Sequence, residues 1–392
     1  MRSSRMLSAA LLGWTISTFF PVPTLGLDAA EKTLSFEGEV PSGGAVTVDN
    51  LLGSVRIVPG TEPGKLRVVA HVVAEAKTPE EAESLVESIR LVHRTESKAV
   101  RVHVAFPVDR IAAYRRPKAG VKGWVTRWAG SMMRGSSEVE YDGRAVRVGN
   151  DRKATGLAVY LTVTLPYDVQ SSIKQIVGPI EGRALRGQIG LETVDGDILA
   201  ERCFGKLAVT SDRGAIRVLA FQGDTLGVET VAGTMELLNV RAGRVQLRTA
   251  DGAIGGSGVT ADRLHIESTS GAVKLGAVEP KTAQVQTDSG TVDLATNLKT
   301  LRELRIETAT GDVTLRVGAL AHFDLTAETK SGEVKMLGGV TLDVTEQEGQ
   351  VSRLQQGQGG PEVRVSALAG SVTVRPYEGS RLDLLVGGRS KR

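Results

Sequence analysis

Residues 304–315 read LRIETATGDVTL, in which apolar residues alternate with polar ones on both sides of a glycine. Such alternation is typical of two short strands joined by a turn. The same unit recurs through the second half of the chain, at successive glycine spacings of 18, 19, 19, 19, 19, 21 and 21 residues. The marker glycines are Gly196, Gly214, Gly233, Gly252, Gly271, Gly290, Gly311 and Gly332.

Apolar residues stand seven and five positions before each marker glycine and two positions after it, as Leu304, Ile306 and Val313 do. Equivalent strands stacked about 4.8 Å apart would align these side chains into a dry core. The sequence therefore predicts an all-β fold with a parallel β-solenoid, or β-helix, of about ten repeats of roughly 19 to 21 residues over 156–378. Weaker copies centred on Gly349 and Gly370 extend the array, and Gly178 is a candidate first member.

A hydroxyl residue stands three positions before every marker glycine. An exposed hydroxyl ladder could match a glycan surface, whereas an inward one would bond to the turn backbone. The hydroxyl residue stands two positions after an apolar residue of the same strand, so both should point to the same, inward face. This favours the second interpretation. The glycines themselves are expected where the turn needs a positive φ. The hydroxyl column comprises Thr193, Ser211, Thr230, Thr249, Ser268, Thr287, Thr308 and Thr329.

Residues 27–155 are less regular and predict a mixed, β-rich N-terminal cap. Thr78, a proline at the first helical position and Glu81 form a capping box, which predicts a helix over 79–89. Alternating apolar residues predict strands in and just after the cap, at 46–58, 66–73, 100–106, 139–148 and 157–165.

The N-terminus has Arg2 and Arg5, then an apolar run over 6–20, then small residues at Thr24 and Gly26. This layout predicts a secretory signal peptide over 1–26, with an uncleaved anchor as the alternative. The protein is therefore expected to be exported, to the periplasm, the cell surface or the medium. The Gly-, Lys- and Arg-rich tail at 379–392 is expected to be disordered.

The repeated unit quoted above resembles the putative-adhesin family of bacterial β-strand-repeat proteins, a domain of unknown function. The unit at 46–57, the helix after it and the strand at 161–166 also resemble that family's layout, so that the resemblance covers most of the chain beyond the leader. It implies a location in the cell envelope or at the surface. It implies no catalytic residue.

Composition excludes several kinds of site. The 48 Lys and Arg residues nearly balance the 45 Asp and Glu residues, so net charge predicts no nucleic-acid partner. Cys203 is the only cysteine, which excludes an intrachain disulfide and a multi-cysteine metal site and favours a buried apolar role. The five histidines are scattered, and no Gly-rich phosphate loop or calcium nonapeptide occurs. No cofactor or metal is predicted.

Glycoside hydrolysis would need two carboxylates on one surface. Asp195 and Asp197 flank Gly196, and Asp212 lies one repeat further on. Acids recur at the equivalent turns of other repeats, so solvated turn residues are the favoured interpretation and catalysis is the alternative.

Residues 110–137 form a basic insertion without an acidic residue. Trp124 and Trp128 fall at helical spacing, which would place an aromatic stripe beside a basic one. Packing on the protein's own core is the favoured interpretation, and contact with an anionic membrane or a partner is the alternative. The candidate contact residues are Arg115, Arg116, Lys118, Lys122, Trp124, Arg127 and Trp128.

The sequence thus predicts a non-enzymatic solenoid of the cell envelope that serves as an adhesin or scaffold. Envelope components, glycans or an anionic membrane surface are the expected partners, and the oligomeric state is open. A carbohydrate-active enzyme is one alternative, and a periplasmic regulatory or assembly factor that touches the membrane through the insertion is another. The residues three positions after successive glycines present a row of mixed charge, which suits weak multivalent contact. The row contains Arg217, Glu236 and Lys274 beside Thr314 and Lys335.

Overall fold

The computed structural model describes residues 28–117, 136–167, 169–318, 323–337, 343–348, 351–356 and 360–377. The predicted signal peptide lies outside these ranges, and so do the predicted tail and most of the basic insertion. The described residues are almost entirely strands, with one helix among them. The all-β class is confirmed.

The N-terminal region contains the helix and nine strands within the described residues. They are β1 (Asp28–Glu39), β2 (Ala45–Pro59), β3 (Lys65–Ala76), α1 (Pro79–Ser88), β4 (Arg90–Glu96), β5 (Ala99–Ala105), β6 (Ala113–Arg115), β7 (Ser137–Tyr141), β8 (Arg144–Gly149) and β9 (Gly156–Leu165).

The repeats supply the remaining strands in two groups. The first group is β10 (Gln170–Val177), β11 (Ile180–Arg183), β12 (Arg186–Asp195), β13 (Ile198–Glu201), β14 (Phe204–Arg213), β15 (Ile216–Leu219), β16 (Gln222–Ala232), β17 (Met235–Thr249), β18 (Ile254–Ser268), β19 (Val273–Thr287), β20 (Val292–Thr296), β21 (Glu303–Thr308) and β22 (Val313–Val317). The second group is β23 (Phe323–Thr329), β24 (Val334–Met336), β25 (Asp343–Glu348), β26 (Val351–Gln356), β27 (Glu362–Ala367) and β28 (Val372–Pro376).

Each repeat forms one coil, with a strand before its marker glycine and a strand after it. Both strands pair in parallel with their counterparts in the next coil, as Leu191 does with Val209 and Ile198 with Ile216. From β10 to β22 the coils follow each other in chain order. The apolar columns lie inside, where Leu226, Val245 and Ile306 are fully buried. The predicted parallel β-solenoid is confirmed.

The marker glycines are required by close stacking more than by backbone conformation. A Cβ atom added at any of them would lie 1.7 to 2.1 Å from a carbonyl oxygen of the neighbouring coil. Only Gly53, Gly178 and Gly214 in this column have a φ in the left-handed region. The expectation that positive φ explains the column is therefore wrong for its other members. In spatial order the column reads Gly53, Gly178, Gly196, Gly214, Gly233, Gly252, Gly271, Gly290, Gly311, Gly370 and Gly332.

The N-terminal region, with its one helix, continues the main sheet of the solenoid. β2 is itself a coil, because its first half pairs in parallel with β5 and β10 and its second half with β9 and β11. β3 pairs antiparallel with β9, and β1 pairs antiparallel with β3. β4 pairs antiparallel with β5. Strands on both sides of the division predicted between 27–155 and 156–378 belong to one sheet, since β9 pairs with β2 and β3.

Helix α1 begins at Pro79, after Thr78, whose hydroxyl accepts a hydrogen bond from the Glu81 backbone N–H at 3.3 Å. Ala82 and Val86 are buried against the rest of the protein. β6, β8 and β7 form a second, three-stranded sheet in that order. This small sheet carries both ends of the basic insertion.

At the C-terminal end the coils do not follow chain order. β27 pairs with both β21 and β23, and β28 pairs with both β22 and β24. The last coil of the sequence is therefore inserted between two earlier ones. β25 and β26 pair antiparallel with each other, and β26 pairs antiparallel with β23. The weak repeat predicted around Gly349 is wrong, because the described strands on either side of it form an antiparallel pair.

Candidate functional site on the outer face of the coils

An open groove of about 740 Å³ crosses the coils on the outside of the strands that precede the marker glycines. Positions two and four residues before each glycine point outward there, because the positions three and five before it are buried. We call this feature the coil groove. It is lined by Glu229, Thr230, Val231, Arg248, Thr249, Ala250, Glu267, Ser268, Thr269, Gln286, Thr287, Asp288, Glu307, Thr308, Ala309, Ser366 and Leu368.

One wall of the coil groove is a column of polar side chains four residues before the glycines. Arg248 Nε lies 2.7 Å from Glu267 Oε2, and His265 Nε2 lies 2.5 Å from Glu267 Oε1. The hydrogen bond from His265, followed by that from Arg248, lowers the pKa of Glu267 below its ordinary value. Gln286 donates to Glu307 at 2.9 Å, which likewise lowers the pKa of Glu307. The wall is therefore an ordered row of charged and amide groups.

The opposite wall is a column of residues two positions before the glycines. Four of its six members are apolar, whereas Thr269 and Asp288 in the middle are polar. Ala250 and Ala309 leave the groove wide, whereas Val231 is 52% exposed and Leu368 is 47% exposed near its two ends. A polar wall thus faces a mostly apolar one over six stacked coils. This combination suits a ligand with a polar edge and an apolar face.

The floor of the coil groove lies over the predicted hydroxyl column. Thr249, Thr287 and Thr308 each accept a hydrogen bond at 2.9 Å from the N–H of the glycine three residues later. Ser211 donates instead to the carbonyl of Gly196 in the preceding coil at 3.0 Å. All eight hydroxyl side chains are buried. The inward, structural interpretation is therefore confirmed, and the column offers no exposed ladder.

The hydroxyl column begins with two buried amides that sequence reasoning missed. Asn50 Nδ2 donates to Gln175 Oε1 at 2.7 Å and to the carbonyl of Val159 at 2.9 Å. Asn50 and Gln175 stand three residues before Gly53 and Gly178. Alignment of those two glycines with the later markers would have been the signal. The coil groove had no such signal, because its walls are columns that form only when the coils stack.

The acids proposed for catalysis serve the fold. Asp195 is buried and pairs with Arg116, accepts from the Ser137 hydroxyl at 2.5 Å and lies 3.5 Å from Arg213. Burial acts to raise the pKa of Asp195, but the hydrogen bonds from Arg116 and Ser137 and the two positive charges outweigh it and lower that pKa. All three groups contact its Oδ2 inside the protein, so this carboxylate is poorly placed to act as a nucleophile or base.

Asp197 has a different environment two residues later. Its Oδ1 accepts a hydrogen bond from the Ala215 backbone N–H at 2.8 Å, and burial raises the pKa of its carboxyl group. Asp212 is exposed one coil further on. The three acids therefore show three unrelated environments, and the structure does not bring them together as an acid and base around a substrate.

The basic insertion is anchored at its base. Arg115 pairs with Glu75 at 2.8 Å, and Arg116 pairs with Asp195 and donates to Ser137 at 2.8 Å. Both side chains are only 12% exposed, so the structure places them in ion pairs within the protein. The other five predicted contact residues lie outside the described residues, at Lys118, Lys122, Trp124, Arg127 and Trp128.

The histidines lie apart from one another. His71 approaches Glu31 at 3.5 Å, His93 stacks on Phe36 and His103 lies 3.0 Å from Asp142. His265 lies beside the groove wall, where it contacts Glu267, and His322 lies outside the described residues. Within the described ranges, no group of three or more His, Cys, Asp or Glu side chains could hold a metal ion. Cys203 is buried, which raises the pKa of its thiol to about 11.

The charged row predicted after the glycines lies on the other outer face of the coils. Arg217 pairs there with Glu236 at 2.9 Å, and Arg316 pairs with Asp293 at 2.7 Å. Across the described residues, no helix is both long and apolar enough to cross a membrane.

Comparison with solved structures found proteins of low similarity. A putative cell adhesion protein from Clostridium sporogenes has 12% identity and a TM-score of 0.20, over 88% of this chain and 100% of that one. A putative lipid binding protein from Parabacteroides distasonis has 9% identity and a TM-score of 0.36, and a putative adhesin from Parabacteroides merdae has 8% and 0.36. Both matches cover 88% of this chain and 97% of the other. These TM-scores are too low to support an inference.

No curated protein matches the chain. The family model described as Toastrack DUF4097 matches residues 146–375, which is more than half of the 392 residues. The match begins within β8 and continues through β9 and the strands from β10 to β28. The resemblance to the putative-adhesin family is confirmed, and the chain belongs to the Toastrack family, DUF4097.

Proposed function

We propose that this protein is an exported, non-enzymatic solenoid of the cell envelope that binds an extended polymer along the coil groove, as an adhesin or scaffold. The observation that carries the proposal is the groove itself, which crosses successive coils from Glu229 to Leu368 and is open along its length. A small substrate would need a deeper and more enclosed cavity.

The spacing of the groove walls suits a repeating ligand. Adjacent coils present equivalent positions about 4.8 Å apart. A chain lying along the solenoid axis would therefore meet a polar group on one side at each step, and an apolar residue on the other side at most steps. Weak contacts repeated in this way add up to firm attachment without a deep pocket.

The chemistry of the walls favours a glycan over a peptide. Carboxylate, guanidinium and amide groups at Glu267, Arg248 and Gln286 match the hydroxyl groups of sugars, and the opposite wall matches the apolar faces of sugar rings. A peptide strand would add to a free sheet edge instead. The groove runs over paired strands, which offer no such edge.

The environments of the acids support a non-enzymatic role. Asp195 is bound by Arg116, Ser137 and Arg213, whereas Glu267 and Glu307 are bound to neighbouring groove residues. A carbohydrate-active enzyme would need an acid of raised pKa beside a second carboxylate, facing the polymer. Among the described residues of the groove wall, the shifted acids have lowered pKa values.

A role in regulating or assembling the envelope is the second candidate. It is supported by the anchoring of the insertion, since the ion pairs of Arg115 and Arg116 hold its base against β3 and β12. Firm attachment would let the insertion transmit a membrane or partner contact to the solenoid. Replacing Trp124 and Trp128 by Ser tests this role, which requires lost membrane or partner binding at an unchanged melting temperature.

The proposed function is tested by filling the coil groove. Affinity electrophoresis in gels that contain neutral or acidic polysaccharides measures retardation of the purified protein. Ala250→Trp combined with Ala309→Trp should abolish the retardation, because the indoles would occupy the groove. Ala208→Trp, on the same face but outside the groove, is the matched control. Equal retardation of the filled variant and the control would contradict the proposal. Cleavage of a polysaccharide that retards the protein would also contradict it.

A further inference from the structure

A second feature of the outer face lies at the opposite end of the same strands from the coil groove. Five basic side chains stand there, close to the start of the strands that precede the glycines. Arg186 is opposite Phe204 in the next coil, and Arg244 is opposite Arg263. We call this feature the basic strip, which consists of Arg186, Lys206, Arg241, Arg244 and Arg263.

Among the described residues, the members of the basic strip lack acidic partners, unlike several basic residues elsewhere on the coils. Arg217, Arg248 and Lys174 on the coils each pair with a glutamate within 3 Å. In the part of the chain that the structure describes, no member of the basic strip forms an ion pair with an acid. The neighbouring Asp224 is exposed and forms none either, whereas Asp262 pairs with Lys281 at 2.7 Å.

Two members of the strip repel each other. Arg244 and Arg263 are directly opposite on adjacent parallel strands, where like charges are unfavourable. Arg241 lies three residues before Arg244, which adds a further positive charge nearby. The fold gains nothing from this arrangement. A bound anion would relieve the repulsion, which points to a negatively charged ligand.

Two exposed aromatic rings border the basic strip. Tyr167 is 42% exposed and Phe204 is 37% exposed. The Arg186 guanidinium carbon lies 5.8 Å from the ring centroid of Tyr167 and 5.3 Å from that of Phe204. Cation–π attraction thus holds this charge between the two rings. Flat apolar rings beside a fixed positive charge suit a sugar ring that carries an acidic group.

Glycines stand in register between strip positions, as Gly205 does between Phe204 and Lys206. A Cβ atom at Gly205 would lie 2.4 Å from the carbonyl oxygen of Gly187, and one at Gly223 would lie 1.9 Å from that of Gly205. Close stacking of the coils therefore requires these glycines, and that stacking sets the strip positions of neighbouring coils side by side.

We propose that the basic strip binds an acidic polysaccharide laid along the solenoid axis. The strip runs across the coils from Arg186 to Arg263, as a linear polymer would. A membrane surface fits less well, because the two rings are more than half buried and the strip has no exposed leucine, isoleucine or tryptophan for insertion. This proposal goes beyond the groove, since it specifies a different surface and the charge of the ligand.

Charge reversal on the strip tests the proposal. The probe is polygalacturonate, with uncharged dextran as the neutral comparison and titration calorimetry as the measurement. Arg241→Glu with Arg244→Glu should weaken polygalacturonate binding by about tenfold or more, and the binding of the unaltered protein should weaken as salt is added. The melting temperature should hold or rise, because residue 244 would then attract Arg263.

The matched control is Arg90→Glu with Arg94→Glu, which makes the same change of net charge on exposed residues of β4. Equal weakening by both variants would overturn the proposal, since net charge alone would then explain binding. Tyr167→Ala with Phe204→Ala should also weaken binding while the fold is retained. Binding to phosphatidylglycerol vesicles that requires the strip, without binding to polygalacturonate, would assign the strip to a membrane and overturn the proposal. Failure of the basic-strip proposal would leave the proposed binding in the coil groove untouched, because the two tests alter different residues.

Discussion

The middle of the solenoid and its two ends are built from the same coil, but only in the middle does spatial order follow chain order. From β10 to β22 each coil stacks on the one that precedes it in sequence. At the N-terminal end β2 lies between β5 and β10, and at the C-terminal end β27 lies between β21 and β23.

The difference shows how a repeat array is terminated. A coil in the middle is held by its sequence neighbours, so that its pairing is local. An end coil would present a free edge, which invites unwanted pairing. Here each end is closed by strands brought from elsewhere in the chain, including antiparallel pairs such as β3 with β9 and β26 with β23. The ends therefore depend on long-range contacts.

Cross-linking gives the largest contrast, because its outcome is all or none. Arg305→Cys with Arg364→Cys should form a disulfide, since these residues are register partners in adjacent strands. Arg305→Cys with Thr326→Cys should not, because residue 364 lies between them. Native Cys203 is buried and should not interfere. Non-reducing electrophoresis measures the result, and the reverse pattern would show that the end coils stack in chain order.

The next prediction concerns steric clashes between stacked coils in the middle of the solenoid. Gly252→Ala should destabilise the protein by about 3 kcal/mol or more, because its Cβ would lie 1.7 Å from the Gly233 carbonyl oxygen. Gly227→Ala is the matched control, since no atom lies within 4 Å of the added Cβ. Denaturant unfolding measures both. Similar stabilities for the two variants would refute the close-stacking explanation of the glycine column.

A somewhat smaller effect is expected where the small sheet joins the coils. Arg116→Ala should cost about 3 kcal/mol at neutral pH, because it removes the main partner of the buried Asp195. Arg94→Ala, at an exposed pair with Glu96, should cost little.

The pH dependence checks the cause of that loss. The pKa of Asp195 is lowered in the folded protein, so its contribution to stability is present above the ordinary carboxyl range and is lost as pH falls through and below it. Arg116→Ala should make this acid-side loss shallower. An unchanged slope would show that the ion pair does not stabilise the folded state.

The smallest effect is expected from single hydrogen bonds of the floor. Thr287→Val should cost about 1 to 2 kcal/mol, because it leaves the buried Gly290 N–H without its acceptor. Thr269→Val, at an exposed position, is the control and should be close to neutral. Thermal unfolding compares the two. Equal melting temperatures would mean that the hydroxyl column contributes only packing.

The middle of the fold could be predicted from sequence because its information is periodic. Leu226, Val245 and Leu264 repeat at fixed offsets from glycines, and a column of that kind fixes strand, turn and inward face together. The capping box at Thr78 likewise predicted where helix α1 begins. Both signals are local, and neither depends on which strands meet.

The ends and the site could not be predicted in the same way. Nothing in the sequence of β27 states that it pairs with both β21 and β23. Arg115 and Arg116 were grouped with the insertion because they are basic, but their partners Glu75 and Asp195 are far away in sequence. The coil groove and the basic strip both arise from columns that alternate in chemistry, so no single repeat reveals them.

The most direct test of polymer binding by the coil groove is a hydrogen-exchange footprint, measured with and without a polysaccharide that retards the protein. We predict protection in one short segment per coil, at 228–231, 247–250, 266–269, 285–288, 306–309 and 365–368, with the strands that follow the glycines unchanged. Protection confined to a single coil or to the N-terminal strands β1 to β5, or none at all, would contradict binding along the groove.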